Sequence, residues 1–217
     1  MRIEIKEGKV EIYGIEDADK IVNLPKEIAG DLADYALHLT DLEISLSSLN
    51  AINKVAILGE AEIQESLWRS AIIHFIKCFS NQVSRGKLDP ELVFKDEPPE
   101  ALEAFRYFKN LRNKNIAHDE NAYLQCLNGI VLNKGNKHYK VEKIICTSFM
   151  AVTLEDGTFS NLLLLVNRSI EYVKESHEKL CKMITEILEM KEYSELTNYG
   201  DVIYNLPDVK KIHKPRR

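Results

Sequence analysis

The chain has 217 residues, 45% of them hydrophobic, and a formal net charge of −5. That length and composition suffice for a buried core without disulfides or a structural metal, and they exclude a fibrous or disordered chain. The acidic balance excludes polyanion binding by overall charge, so any nucleic-acid contact has to come from a local basic segment.

The four cysteines, Cys78, Cys126, Cys146 and Cys181, show no CxxC pairing and read as free thiols of a reducing compartment. The longest apolar run, Leu162–Val166, is far too short to cross a membrane. The alternating start Met1–Lys6 has no signal-peptide core. These features predict a single-domain cytoplasmic protein with no membrane partner and no cofactor.

Ile3-Glu4-Ile5 and Val10-Glu11-Ile12-Tyr13 alternate with period two around Lys6-Glu7-Gly8-Lys9. This predicts an N-terminal hairpin over 1–13 with Gly8 in the turn. A lone hairpin is marginally stable, so it is expected to pair with later strands. Pro25 and Glu27 then suit the first turn of a helix capped by Asn23 or Leu24. Ile28, Leu32, Tyr35, Leu39, Leu42, Leu46 and Leu49 alternate steps of four and three, the seam of a long bundle helix with no glycine or proline from Asp31 to Leu58.

A second helix is predicted from about Glu60 to Phe79, with Leu67/Trp68, Ala71/Ile72, Phe75/Ile76 and Phe79 on its buried stripe. Gly86 and Pro90 punctuate the break after it. Pro98-Pro99 opens a third helix whose core face is Leu102, Phe105, Phe108 and Leu111. The first three helices are thus expected within 24–118. Beyond them Ile130-Val131-Leu132, Asn133–Asn136 and Tyr139–Leu154 predict an inserted hairpin over 124–158, closed by the turn Glu155-Asp156-Gly157-Thr158.

A fourth helix is expected over 160–191, with Leu163, Val166, Ile170, Val173, His177, Leu180, Ile184 and Ile187 in its seam, followed by a basic tail over 205–217. The expected fold is mainly α, an antiparallel four-helix bundle with one small antiparallel β-sheet formed jointly by the two hairpins.

The third helix runs into Leu111–Tyr123, L-R-N-K-N-I-A-H-D-E-N-A-Y. No other stretch of this chain gathers a guanidinium, two side-chain amides and an imidazole so tightly. Between Arg106 and His118 there are basic residues, Arg106, Lys109, Arg112 and Lys114, and no acids, so the segment can touch phosphate. On a straight α-helix Arg112 and His118 would lie about 120° apart around the axis and ~9 Å along it, with Asn115 bridging them.

Arg112-Asn113, followed after four residues by His118, resembles the R-(polar)-x-H signature of the HEPN superfamily. The resemblance covers the four helices and not the hairpins; the inserted strands depart from the simplest form of that family. It implies a metal-independent endoribonuclease acting as a homodimer, with two motif copies facing each other. It also implies a toxin or phage-defence setting, with RNA as substrate and an antitoxin or regulatory protein as a further partner. A catalytically silent module binding a nucleotide, RNA or a partner protein is the alternative.

RNA cleavage without a metal uses the neighbouring 2′-OH as nucleophile and needs a base of near-neutral pKa, which histidine supplies. Arg112 would grip the phosphate and stabilise the phosphorane with its planar fork. His118 would act as general base or acid, and Asn113 and Asn115 would position them. Lys109, Lys114 and Tyr123 are the expected substrate contacts. His74/Cys78 and His177/Cys181 are i,i+4 pairs that could meet as a zinc site; they read more simply as core residues, and no metal is expected.

Overall fold

The computed structural model describes residues 2–6, 9–18, 20–118, 120–204, 206 and 208–213. The expected hairpin turn at Glu7-Gly8 and the tail residues Lys214, Arg216 and Arg217 lie outside the described residues. The chain divides into two compact units. One comprises 1–39, 81–87 and 171–217, and the other comprises 40–80 and 88–170.

The elements run β1 (Arg2–Lys6), β2 (Lys9–Tyr13), α1 (Lys26–Ala29), α2 (Leu32–Ala56), α3 (Ala61–Lys77), α4 (Pro90–Val93) and α5 (Pro99–Leu111). A π-helical turn (Arg112–Ile116) follows, then β3 (Leu124–Leu132), β4 (Val141–Met150), α6 (Asp156–Glu189), α7 (Tyr193–Thr197) and a 3-10 turn (Val209–Lys211). The protein is mainly helical, with two small antiparallel hairpins.

The second unit holds the aromatic core that positions the motif. Trp68, Ala71, Ile72, Phe75 and Ile76 of α3 are buried, as their four-residue recurrence predicts. Phe105 and Phe108 of α5 pack onto them. Phe105 lies 4.8 Å from Phe79 and 6.1 Å from Phe75 between ring centroids, and Trp68 meets Phe108 edge-on at 5.9 Å, all within the range of favourable aromatic pairs. The Trp68 indole N–H donates to Thr153 Oγ1 at 3.0 Å, satisfying the one polar atom of that ring.

The predicted seam of α2 is only partly right. Leu42 and Leu49 are fully buried and Leu46 is half-buried, while Asp41, Ser45 and Ser48 are buried beside them. Ser45 donates to the Ala71 carbonyl at 2.8 Å; a small hydroxyl there lets α2 approach the α3 backbone closely and keeps its oxygen partnered.

Several boundaries move for local reasons. Gly30, at φ 50°, interrupts the first helix between α1 and α2, a left-handed conformation glycine takes without steric cost. Pro90 starts a helix instead of only ending a loop. It follows the N-cap Asp89, whose carboxylate accepts from the Glu91 N–H at 3.0 Å. Glu155–Thr158 is not a free turn closing the hairpin. The Thr158 hydroxyl accepts from the Glu155 N–H at 3.0 Å, and Phe159 N–H reaches the Glu155 carbonyl at 2.8 Å, so α6 begins at Asp156.

In α6, Val166, Ile170, Val173 and Ile184 are buried, Leu163, His177 and Leu180 are half-buried, and Ile187 is 40% exposed.

Among the described residues the jointly built β-sheet does not form. β1 pairs only with β2 and β3 only with β4, as two separate two-stranded sheets. The short first hairpin carries charges at alternate positions, with Lys6 Nζ 2.9 Å from Glu11 Oε2. Charges of that kind discourage further edge pairing. In its unit the other end of the chain instead meets residues 20–23, where Asn23 N–H donates to the Gly200 carbonyl at 2.8 Å and Val22 bridges Asp201.

Candidate active site

The buried side chains Phe105, Phe108 and Leu111 fix the C-terminal half of α5 in the core. The next residue is Arg112, where the helix widens. Ala117 N–H donates to the Arg112 carbonyl at 2.8 Å, an i→i+5 bond, and the turn Arg112–Ile116 lies against α3. The straight-helix angle expected between Arg112 and His118 therefore does not apply, because a residue has in effect been inserted into the ladder. Single π-helical turns of this type recur at functional sites, since they re-aim side chains at the end of a rigid element.

Arg112, Asn113 and Asn115 are half-buried, while Lys109, Lys114 and His118 are exposed. Arg112 Nη1 donates to Asn113 Oδ1 at 3.0 Å, which turns the guanidinium across its own turn and limits its freedom. Lys114 pairs with Glu120, and the Glu120 N–H donates to the Lys114 carbonyl at 2.9 Å, closing the loop after the motif. The hydrogen bond from Lys114 holds the Glu120 carboxyl below the usual carboxylate range, and the neighbouring His118 adds to that effect. Among the described residues the His118 imidazole makes no hydrogen bond.

Of the expected site residues, Arg112 and Asn113 are thus brought into direct contact. Lys114 and His118 both lie beside Glu120. Asn115 makes no hydrogen bond to either Arg112 or His118 among the described residues.

Tyr123 is 36% exposed, and its N–H donates to Asn121 Oδ1 at 3.1 Å. Burial pushes the Tyr107 phenol up, and the neighbouring Tyr123 adds to the rise. The Tyr123 carbonyl accepts from Ala151 N–H at 2.7 Å, joining the two ends of the inserted hairpin.

Three residues were not singled out from the sequence. Glu120 was legible, because the acid-free run stops at His118 and acids follow at once. Tyr107 carried no signal, since its pairing with Tyr123 depends on how the chain turns after the motif. Asp41 is the third, an acid on the apolar stripe of α2. Its carboxylate accepts from His74 Nδ1 and Lys77 Nζ, each at 2.8 Å, and its side chain is almost fully buried. A buried acid requires such partners, so its place beside Leu42 was a readable sign.

The zinc alternative finds no assembled donor set. His74 is engaged by Asp41, the Cys78 thiol donates to the His74 carbonyl at 3.6 Å, and His177 and Cys181 contact each other at 3.7 Å in the other unit. Among the described residues no group of three or more His, Cys, Asp and Glu is placed to hold a metal ion. No described helix is long and apolar enough to cross a membrane.

Comparisons with family models, with curated proteins and with solved structures found no match to this chain. What the turn at Arg112–His118 can do is therefore argued from its own chemistry.

Proposed function

We propose that this chain is a metal-independent endoribonuclease of HEPN type, acting as a homodimer in a toxin or phage-defence setting. On this reading α2, α3, α5 and α6 are the four helices of that family's antiparallel bundle, and β3–β4 is an insertion. The observation that carries the reading is a half-buried arginine, oriented by Asn113 on a π-helical turn, with an exposed histidine six residues on that makes no hydrogen bond among the described residues.

The chemistry follows from those two groups. Arg112 binds the non-bridging phosphate oxygens, and the hydrogen bond to Asn113 reduces the side-chain entropy lost on doing so. His118, open to solvent, takes the proton of the 2′-OH as that oxygen attacks phosphorus; the P–O5′ bond breaks, the 5′-oxygen takes a proton from water to leave as a 5′-OH, and the other strand ends in a 2′,3′-cyclic phosphate. Proton transfer of this kind contributes about 10²–10⁴-fold, and charge stabilisation by the guanidinium adds to it. Lys109 and Tyr123 extend the contact surface, the first by charge and the second by its ring face. A second copy completes the site by supplying the histidine or arginine that one turn does not place against its own.

One observation favours a second reading. Within a single copy Arg112 and His118 share no hydrogen bond among the described residues, and Lys114 is engaged by Glu120. Those features suit a non-cleaving module that binds a nucleotide, RNA or a partner protein. Incubating the purified protein with total RNA in EDTA, beside an Arg112→Ala control, separates the readings. Cleavage that survives EDTA and is lost in the control supports the nuclease. Intact RNA together with Arg112-dependent binding supports the module.

A further inference from the structure

The inserted hairpin carries a feature that the nuclease reading does not use. Cys126 on β3 pairs in register with Ser148, and Cys146 on β4 pairs with Asn128. Side chains alternate between faces along each strand, so the two cysteines are diagonal neighbours on one face of the ribbon. The right-handed twist of a two-stranded ribbon draws one such diagonal together. Their Sγ atoms lie 3.2 Å apart. A disulfide bond is about 2.05 Å long, so the sulfurs need to close by only about 1.2 Å, a change small side-chain rotations can supply.

Accessibility separates this pair from the other two cysteines. Cys126 and Cys146 are exposed, whereas Cys78 is buried and Cys181 is half-buried against His177. Among the described residues no third strand pairs with the ribbon, and every residue of β4 is exposed. The ribbon is also the element most in need of a cross-link, because a two-stranded hairpin without a third strand is marginally stable.

We propose that Cys126 and Cys146 form a dithiol site that exchanges with small-molecule disulfides of the glutathione class to give a reversible cross-strand disulfide. Cys146, as thiolate, attacks one sulfur of oxidised glutathione. That S–S bond breaks and one glutathione thiolate leaves. Cys126, as thiolate, then attacks the sulfur of the Cys146 mixed disulfide and releases the second glutathione. Two protein thiols are oxidised, one glutathione disulfide is reduced to two thiols, and the two cysteine protons pass to the departing thiolates. The hydrogen bond with Cys146 raises the Cys126 thiol while both cysteines are reduced. Exposed disulfides exchange readily and are the labile, regulatory ones. The bond would therefore hold the β3–β4 register in an oxidised cell and release it in a reduced one. The proposal does not depend on whether Arg112 and His118 cleave RNA.

The test uses the full chain treated with oxidised glutathione, then alkylated under denaturing conditions and digested. The expected result is an intact mass lower by about 2 Da before alkylation, as two hydrogens are lost in disulfide formation, then the loss of two alkylatable thiols per chain and a linked peptide pair containing Cys126 and Cys146. Cys78 and Cys181 remain alkylated, and a reducing dithiol restores all four sites. Cys126→Ser and Cys146→Ser should each stop at a stable glutathione adduct on the remaining cysteine. Stable mixed-disulfide adducts on both cysteines of the unsubstituted chain, a disulfide linking two chains, or full alkylation after oxidation would each overturn the proposal.

Discussion

Ala117 donates its main-chain N–H to the carbonyl of Arg112 at 2.8 Å, an i→i+5 bond that closes the π-helical turn at the end of α5. Replacing Ala117 by proline removes the donor and also disfavours the helical conformation of Ile116. The expected outcome is a ten- to hundredfold loss of RNA cleavage, as for a misplaced positioning element. The melting temperature should fall only modestly, because the core residues Phe105, Phe108 and Leu111 precede the turn. Steady-state cleavage measured beside calorimetry checks both halves.

Glu120 restrains Lys114, and it titrates below its ordinary value because of that partner. A depressed carboxylate keeps its pairing contribution above its unfolded pKa and loses it as pH falls through the lower folded value. The pair therefore holds throughout the neutral range and opens only in acid, releasing Lys114. Glu120→Gln should release Lys114 at every pH and tighten RNA binding by up to about fivefold, a small effect because the pair is exposed. Fluorescence anisotropy from pH 7 down to the carboxylate range, on both proteins, reads the difference; the acid-dependent gain should be absent from the variant.

The two hairpins form separate sheets, so they should respond independently. Deleting residues 1–13 should leave amide exchange in Leu124–Leu132 and Val141–Met150 unchanged. Faster exchange there after the deletion would show a coupling that the strand pairing does not contain.

The composite-site reading requires two copies. Light scattering at micromolar concentration should give twice 24.9 kDa, and inactive Arg112→Ala and His118→Ala chains should partly restore cleavage when mixed. A monomer that cleaves RNA at full rate would contradict the composite site.

Much of the helical order was legible, because α3, α5 and α6 bury their apolar stripes over several turns and nothing else competes for those side chains. The breaks at Gly30 and Pro90 and the early start of α6 were harder to read. Each is decided by one local feature, a positive φ at Gly30, the Asp89 carboxylate, and the Thr158 hydroxyl. The hairpins were legible as hairpins, but their partners were not, since alternation specifies a pleated ribbon and says nothing of what lies beside its edges.

In the site, the short span of Arg112, Asn113, Asn115 and His118 was plain in the sequence. The π-helical widening was not, because it depends on how α5 is held in the core and on the loop that Glu120 closes. Tyr107 became visible only once the chain had turned back to place Tyr123 against it.

On the proposed reading Arg112 and His118 cleave RNA through the neighbouring 2′-OH. The most direct measurement is end-group analysis of a single-site RNA incubated with the protein in EDTA, alongside the same RNA methylated at that 2′-OH and alongside the His118→Ala protein. The expected result is 2′,3′-cyclic phosphate ends on the unmodified RNA, no cleavage of the methylated RNA, and no cleavage by His118→Ala although its RNA affinity is largely retained. Cleavage of the methylated strand, or undiminished cleavage by His118→Ala, would contradict it.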